Sequence, residues 1–317
     1  MNRAKTFVRP YLDHRVVLNC VCGSSDGFVF KKRDRYGIKL DFAFCGKCGH
    51  VRVANPLDEK STRKFYQTSD YRTLYFGGES AEDVVRRKAP APDAVPQLLN
   101  FVQRIVGTRG QIVEWGCGGG WNLLPFVRNG WTAIGYDFDE PYIALGSEML
   151  GLDLRVIDEA RLGVEELQRA DVLLLNHVLE HSLDPLGLLT YLTSQCSSKT
   201  TFIVGIPLIE TLSIWHWRDF FHIAHNHYFH QHSFEYVANK AGLKVVESDV
   251  KSGLFALRIA QNAKPRLVSR RWRRRSAWLL AIGFLEPGWR ARNGLRRLLG
   301  LVGLLEAARW LKRYCRD

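Results

Sequence analysis

From residue 111 onward the chain alternates short apolar runs with stretches of helical spacing. The runs are IVEW (112–115), TAIGYD (132–137), LRVID (154–158), DVLLLNHV (171–178) and TFIVGIP (201–207). They are short and almost continuously apolar, which predicts parallel strands covered on both faces. The segments between them predict crossover helices at about Trp121–Asn129, from Pro141, and over Asp184–Gln195. SFEYVANKAG (233–242) predicts a further helix with Ser233 as its cap and Gly242 as its stop. LKVVESDV (243–250) and GLFALRIA (253–260) read as a closing strand pair. Upstream, residues 1–55 are short strand-like pieces around cysteine pairs. Residues 56 to about 108 are polar with helical patches and hold the Pro-punctuated APAPDAVP (89–96). The fold class is α/β, without internal repeats.

The 317 residues have the length of about two domains, and 46% apolar content suits a soluble globular protein. The net charge of +13 matters through its placement. Asn262–Asp317 carries 15 Lys or Arg against 3 Asp or Glu, which leaves only +1 for the preceding 261 residues. A near-neutral body argues against nucleic acid as the substrate of the core. The opening MNRAKTFVRPYL has no apolar h-region, so a secretory signal is not expected. The apolar run Ala277–Leu285 is too short to span a bilayer. In the tail, RRWRRR (270–275) and WLLAIGFL (278–285) alternate basic and apolar blocks. On a helix from Asn293, Leu295, Leu298, Leu299, Val302 and Leu305 share one stripe. That pattern fits residues 264–317 lying on an anionic membrane surface. Nucleic-acid contact, or a helix packed on the body with a solvated basic face, are the alternatives. Seven cysteines, odd in number and mostly clustered, point to a reducing compartment.

The candidate chemistry starts at IVEWGCGGGWNLL (112–124). Gly116, Gly118 and Gly120 follow a buried strand and open a helix, where bare backbone lets N–H groups approach a ligand. Glu114 precedes the turn. Asp137 ends the next strand, where a carboxylate can accept both hydroxyls of a ribose, and Asp158 ends the third, where it can accept from an adenine amino group. With these residues the chain resembles the class I S-adenosylmethionine-dependent methyltransferases. EWGCGGG matches their first motif, YDFDE carries the ribose acid, and NHVLEHSLDP (176–185) matches the H-V-L-E-H-x-x-D-P stretch after the fourth strand. The resemblance covers residues 111–260 and implies a Rossmann-like seven-stranded sheet with the last strand antiparallel. It implies that Glu114, Gly116, Gly118, Gly120, Asp137 and Asp158 contact S-adenosylmethionine, and that Asn176 and His177 wall the methyl-donor pocket.

CVCG (20–23) and CGKCG (45–49) read as two zinc knuckles. The second has the C-x-x-C-G form that presents two thiolates to one metal; the first is one residue short. Cys20, Cys22, Cys45 and Cys48 are thus the candidate ligands of a closed, structural zinc, with two pairs of free thiols as the alternative. The text that follows resembles the segment after the zinc ribbon in methyltransferases of sugar and surface-glycan pathways.

Eight of the ten histidines lie between His177 and His232, most of them in DFFHIAHNHYFHQHSF. Three roles are open for this segment, which follows TFIVGIP and so lies over the carboxyl edge of the sheet. One histidine, His225 or His227, is a general base. His222, His225 and His227 bind a metal that activates the acceptor. Or all are packing residues under a lid. Glu180 and His181 are further catalytic candidates, with loop support as the alternative.

Four regions are expected: a zinc-ribbon-like module (1–55), a helical linker (56–110), the methyltransferase domain (111–261) and a basic amphipathic tail (262–317). The expected enzyme is a cytoplasmic methyltransferase, peripheral at the inner membrane face. Its expected acceptor is a sugar hydroxyl of a nucleotide- or lipid-linked glycan. A lipidic or quinone-like acceptor, and an RNA-binding or RNA-modifying protein built on the ribbon and arginine tail, are the rivals.

Overall fold

The computed structural model describes residues 7–91, 96–157, 164–212 and 220–260. Asp158 and the basic tail, on which two of the expectations above rest, lie outside the described residues. The N-terminal strands β1 (Gly27–Arg33), β2 (Lys39–Cys45) and β3 (Val51–Val53) form an antiparallel meander. Helices α1 (Glu59–Gln67), α2 (Asp70–Tyr75), α3 (Ala81–Lys88) and α4 (Gln97–Val106) lead from it to the main sheet. There β4 (Gln111–Trp115), α5 (Leu124–Arg128), β5 (Thr132–Asp137), α6 (Glu140–Leu150), β6 (Asp153–Val156) and α7 (Val164–Arg169) alternate. The alternation continues with β7 (Val172–Asn176), α8 (Pro185–Gln195) and β8 (Thr201–Gly205). The chain ends its described part with β9 (His227–Tyr228), α9 (Gln231–Lys240), β10 (Leu243–Asp249) and β11 (Leu254–Ile259).

The seven-stranded sheet has the order β10-β11-β8-β7-β4-β5-β6. The five apolar runs are its parallel strands, and β11 runs antiparallel to both of its neighbours. Period-two geometry explains why those runs are apolar throughout. Ile112, Val172, Leu174 and Ile203 enter the apolar cluster on one face, while Val113, Leu173, Leu175 and Val204 enter the cluster on the other. Both faces are therefore dry.

Short polar caps start the helices. Asp58, Ser80, Asp139 and Asp184 each accept a backbone N–H at the first turn of α1, α3, α6 and α8. The cap expected of Ser233 belongs instead to His230, so α9 starts at Gln231. Ser233 lies at the third helical position and closes a reciprocal capping box: Nδ1 of His230 accepts from the Ser233 amide, and Oγ of Ser233 accepts from the His230 amide.

The histidine-rich segment is also more structural than a lid. Its residues His227 and Tyr228, as β9, pair with β3 and make the fourth strand of the N-terminal meander. Phe221 and Tyr228 pack with Phe42, Val51, Val53 and Phe65 in one apolar cluster. The N-terminal module and the segment after β8 thus share a sheet and a core.

Candidate active site

A cavity of about 1030 Å³ opens at the carboxyl ends of β4, β5 and β7. That is the ligand side of an open α/β sheet, where the strand order reverses. Trp115, Gly116, Gly118, Asp137, Asn176 and His177 line it from the sheet. Tyr66, Tyr71, Arg72 and Tyr75 close it from α1 and α2, and Phe220, His222 and His225 from the histidine segment.

The sheet end of the cavity is built from tight backbone. Gly116 and Gly118 have φ of +79° and +57°. A Cβ on Gly116 would lie 2.6 Å from Val178 Cγ2, and one on Gly118 3.0 Å from the Trp121 ring. Asp137 is buried and holds this turn: Oδ2 accepts from the Gly118 amide at 2.7 Å and Oδ1 from the Asp139 amide at 2.9 Å. Phe138 and Ile157 provide apolar lining beside it. Glu114 is fully buried behind the turn, with Oε1 accepting from Asn122 at 2.7 Å and Oε2 without a partner. Burial pushes its carboxyl up to about 8, against the Asn122 hydrogen bond. Gly120 serves packing instead. It does not line the cavity, and a Cβ there would meet Leu152 and Leu154.

Sequence reasoning missed Arg72. It is buried on α2; Nε donates to Asp139 at 2.8 Å and a terminal nitrogen to Asp137 at 3.2 Å. Burial pulls against its charge, and the two carboxylates outweigh that and raise its pKa. Nothing in the local sequence could have paired residues 65 positions apart.

Beside Asn176, His177 lines the cavity as expected. Its φ of +58° places a non-glycine residue in the left-handed region directly after β7, a strain that is concentrated at functional sites. Nδ1 of His177 donates to Glu180 Oε1 at 3.1 Å, which leaves Nε2 as the basic atom. Its side chain is 59% exposed; partial desolvation in the cavity pulls its pKa down, but the hydrogen bond and charge of Glu180 outweigh this and raise it. Glu180 is fully buried, and its Oε2 has no partner. His181 lines the cavity and donates from Nδ1 to the Ala224 carbonyl at 2.9 Å, with the Tyr66 hydroxyl 2.8 Å from the same nitrogen. His225 is buried against His222, ring centroids 3.9 Å apart. Burial keeps His222 and His225 well below the usual imidazole range.

His227 is apart from this group. It does not line the cavity, and its Nδ1 lies 3.0 Å from His50 Nε2. His50 in turn reaches Ser233 Oγ at 3.2 Å. β3–β9 pairing turns this ring away from the reacting end, so neither the base role nor the His222–His225–His227 metal set expected from spacing has its geometry here.

The four cysteines meet although the first knuckle is short. Gly23, at φ +77°, lets its amide return to the Cys20 carbonyl at 2.7 Å, which closes the C-x-C turn. The Sγ atoms of Cys20 and Cys48 are 3.4 Å apart, those of Cys22 and Cys45 3.7 Å, and all four lie within 4.8 Å of one another. No disulfide joins them. Four thiolates at about 2.3 Å from one zinc are about 3.8 Å from each other, so the donor set and spacing fit a tetrahedral ion.

Residues 86–248 match a methyltransferase-domain family. The match spans just over half of the chain, and the chain belongs to that family. It is an S-adenosylmethionine-dependent methyltransferase, and the cavity has parts that suit the cofactor. Asp137 can take its ribose, and Gly116 and Gly118 leave room for backbone contacts. No curated protein matches the chain significantly. Among solved structures, it is similar to 1,6-didemethyltoxoflavin-N1-methyltransferase of Burkholderia thailandensis, with 16% identity, 75% of this chain and 100% of that one covered, and TM-score 0.46. It is also similar to magnesium protoporphyrin IX methyltransferase of Synechocystis, with 14% identity, 63% and 98% covered, and TM-score 0.44.

Proposed function

We propose that the protein methylates a hydroxyl oxygen of a sugar carried on a nucleotide or lipid phosphate. The observation that supports this most is the continuity of one cavity from Asp137 to the His177–Glu180 pair. Bound S-adenosylmethionine supplies a methyl group already activated on a sulfonium. The protein's own residues align the acceptor, exclude water and receive a proton. The acceptor O–H bond breaks, with its proton passing to Nε2 of His177. An oxygen lone pair would form the new C–O bond as the C–S bond breaks, and the two electrons of the C–S bond would leave with sulfur. Glu180 holds the His177 tautomer and stabilises the imidazolium. Tyr66, Tyr71 and Tyr75 offer flat faces to a sugar ring. Arg35 lines the same end, its guanidinium 5.3 Å from the Tyr75 ring centroid, and suits a phosphate.

A second reading, a lipidic or quinone-like acceptor, is favoured by the Trp115, Tyr and Phe220 lining. Labelled methyl donor offered with nucleotide sugars, lipid-linked sugars, quinone precursors and RNA separates these. Label in a sugar is expected; label only in a quinone-like lipid or in RNA would overturn the proposal.

Replacing His177 with Asn is expected to lower kcat by about 10²–10⁴-fold, the usual contribution of a positioned base, while S-adenosylhomocysteine still binds. The wild-type rate should climb as rising pH strips the proton from His177, and the His177→Asn rate should not. A pH profile that is flat, in wild type and variant alike, removes His177 from the reaction.

The proposal includes a structural zinc on Cys20, Cys22, Cys45 and Cys48, supported by the sulfur spacing above. It also includes attachment of residues 264–317 to an anionic membrane surface, which rests on the basic and apolar blocks of that sequence. Among the described residues, no helix is long and apolar enough to cross a membrane. Flotation with anionic vesicles, lost on removing 264–317, is the expected result; flotation unchanged by the deletion would refute it.

A further inference from the structure

We propose that Glu180, His181 and His225 form a divalent-cation site at the acceptor end of the cavity. One ligand atom from each lies within 4.8 Å of the others. Three details point to a cation rather than to internal hydrogen bonding. First, His181 spends its Nδ1–H on the Ala224 carbonyl, so Nε2 carries a lone pair. That arrangement, one ring nitrogen anchored on a backbone carbonyl and the other free, is how metal-binding imidazoles are oriented. Second, Nε2 of His181 stands 3.9 Å from Oε1 of Glu180. This is too long for a hydrogen bond and within the span of two bonds of about 2.1 Å to a shared ion. Third, two further buried atoms, Glu180 Oε2 and His225 Nδ1, have no partner. A buried carboxylate with an idle oxygen, facing imidazoles that offer lone pairs, is a costly arrangement unless a cation completes it.

Two imidazoles and one carboxylate leave coordination positions open. His181 and His225 line the cavity, so those positions face the acceptor. An acceptor with two adjacent oxygens, such as a vicinal diol or an α-hydroxy carbonyl, can fill both. This last step deepens the sugar-methylation reading and rests on it; the cation site itself does not.

Mn²⁺ is the probe, because it favours nitrogen and oxygen donors and leaves a thiolate site alone. Full-length protein with zinc on its cysteines is titrated with Mn²⁺ and followed by electron paramagnetic resonance, with S-adenosylhomocysteine affinity measured on the same samples. One immobilised Mn²⁺ per chain is expected. Glu180→Gln and His225→Asn should each weaken it by more than about 100-fold, beyond what loss of an outer hydrogen bond costs. S-adenosylhomocysteine binding by the variants shows that the fold persists. If Glu180→Gln loses that binding, His225→Asn decides. No immobilised Mn²⁺ in wild type that binds S-adenosylhomocysteine overturns the site, as does Mn²⁺ affinity unchanged in His225→Asn. Sugar methylation at full rate with one zinc per chain, on the cysteines, and no other metal would overturn the cation's role in holding the acceptor and leave the proposed reaction standing.

Discussion

Asp137→Ala is expected to abolish measurable S-adenosylhomocysteine binding in a calorimeter. Each hydrogen bond to a charged group contributes about 1.5–3 kcal/mol, so loss of both ribose hydroxyl contacts weakens binding by at least about 100-fold. A second loss compounds the first. Asp137 also fixes the Gly118 amide, which shapes the turn, and is one of two carboxylates on buried Arg72. Its two oxygens have room for about four hydrogen bonds. Three N–H groups, from Gly118, Asp139 and Arg72, already use them. Two ribose hydroxyls therefore need one of these to move. The Arg72 contact, at 3.2 Å, is the longest of the three, and Arg72 keeps Asp139 at 2.8 Å when it lets go. Asp137→Asn, which keeps the shape and loses the charge, should lie between wild type and Ala. A folded Asp137→Ala protein that binds S-adenosylhomocysteine as wild type does would move the ribose to another residue.

The legible parts of this protein were those set by local rules. Continuous apolar runs separated by helical spacing require a doubly covered parallel sheet, and both the strands and their order class follow from that pattern. Asp137 marks the ligand side, because its place at the end of β5 puts it on the cavity. What stayed hidden depends on distant pairing. Arg72 belongs to a polar linker in sequence and reaches Asp137 only because α2 folds over the turn. His177 follows an apolar strand and His227 lies in aromatic text, and neither setting tells which imidazole reaches the cavity. A left-handed backbone after β7 aims the first at Glu180, and strand pairing with β3 buries the second against His50. The shift of a helix cap from Ser233 to His230 has the same origin: an imidazole nitrogen can accept the amide that a hydroxyl was expected to take.

Removal of the zinc proposed for the four cysteines, by chelation or by Cys45→Ser, is expected to cost turnover as well as stability, although no cysteine of the cluster lines the cavity. The link is backbone. Cys45 ends β2, β2 pairs with β3, and β3 pairs with β9. The amides of Asn226 and His227, at the start of β9, both donate to the Glu180 carbonyl, at 2.8 and 3.0 Å. The Asn226 side chain donates to the His181 carbonyl at 2.7 Å. Loss of the cluster frees the meander, and with it the loop that aims Glu180 and His181. Structural zinc contributes about 10–16 kcal/mol to the folding of small zinc modules, comparable to or more than the whole stability of an ordinary domain, so the meander should not survive its loss. A displacement of about 1 Å at reacting groups can cost about 100-fold in rate. Turnover should therefore fall by at least that factor. S-adenosylhomocysteine affinity should fall less, because Gly116, Gly118 and Asp137 stand on the seven-stranded sheet. The check is zinc content by mass spectrometry beside kcat, cofactor affinity and the melting curve. Metal-free protein that melts and turns over like the zinc form would mean that the four thiols are only packed together. A parallel loss of affinity and turnover would mean that the sheet itself depends on the ion.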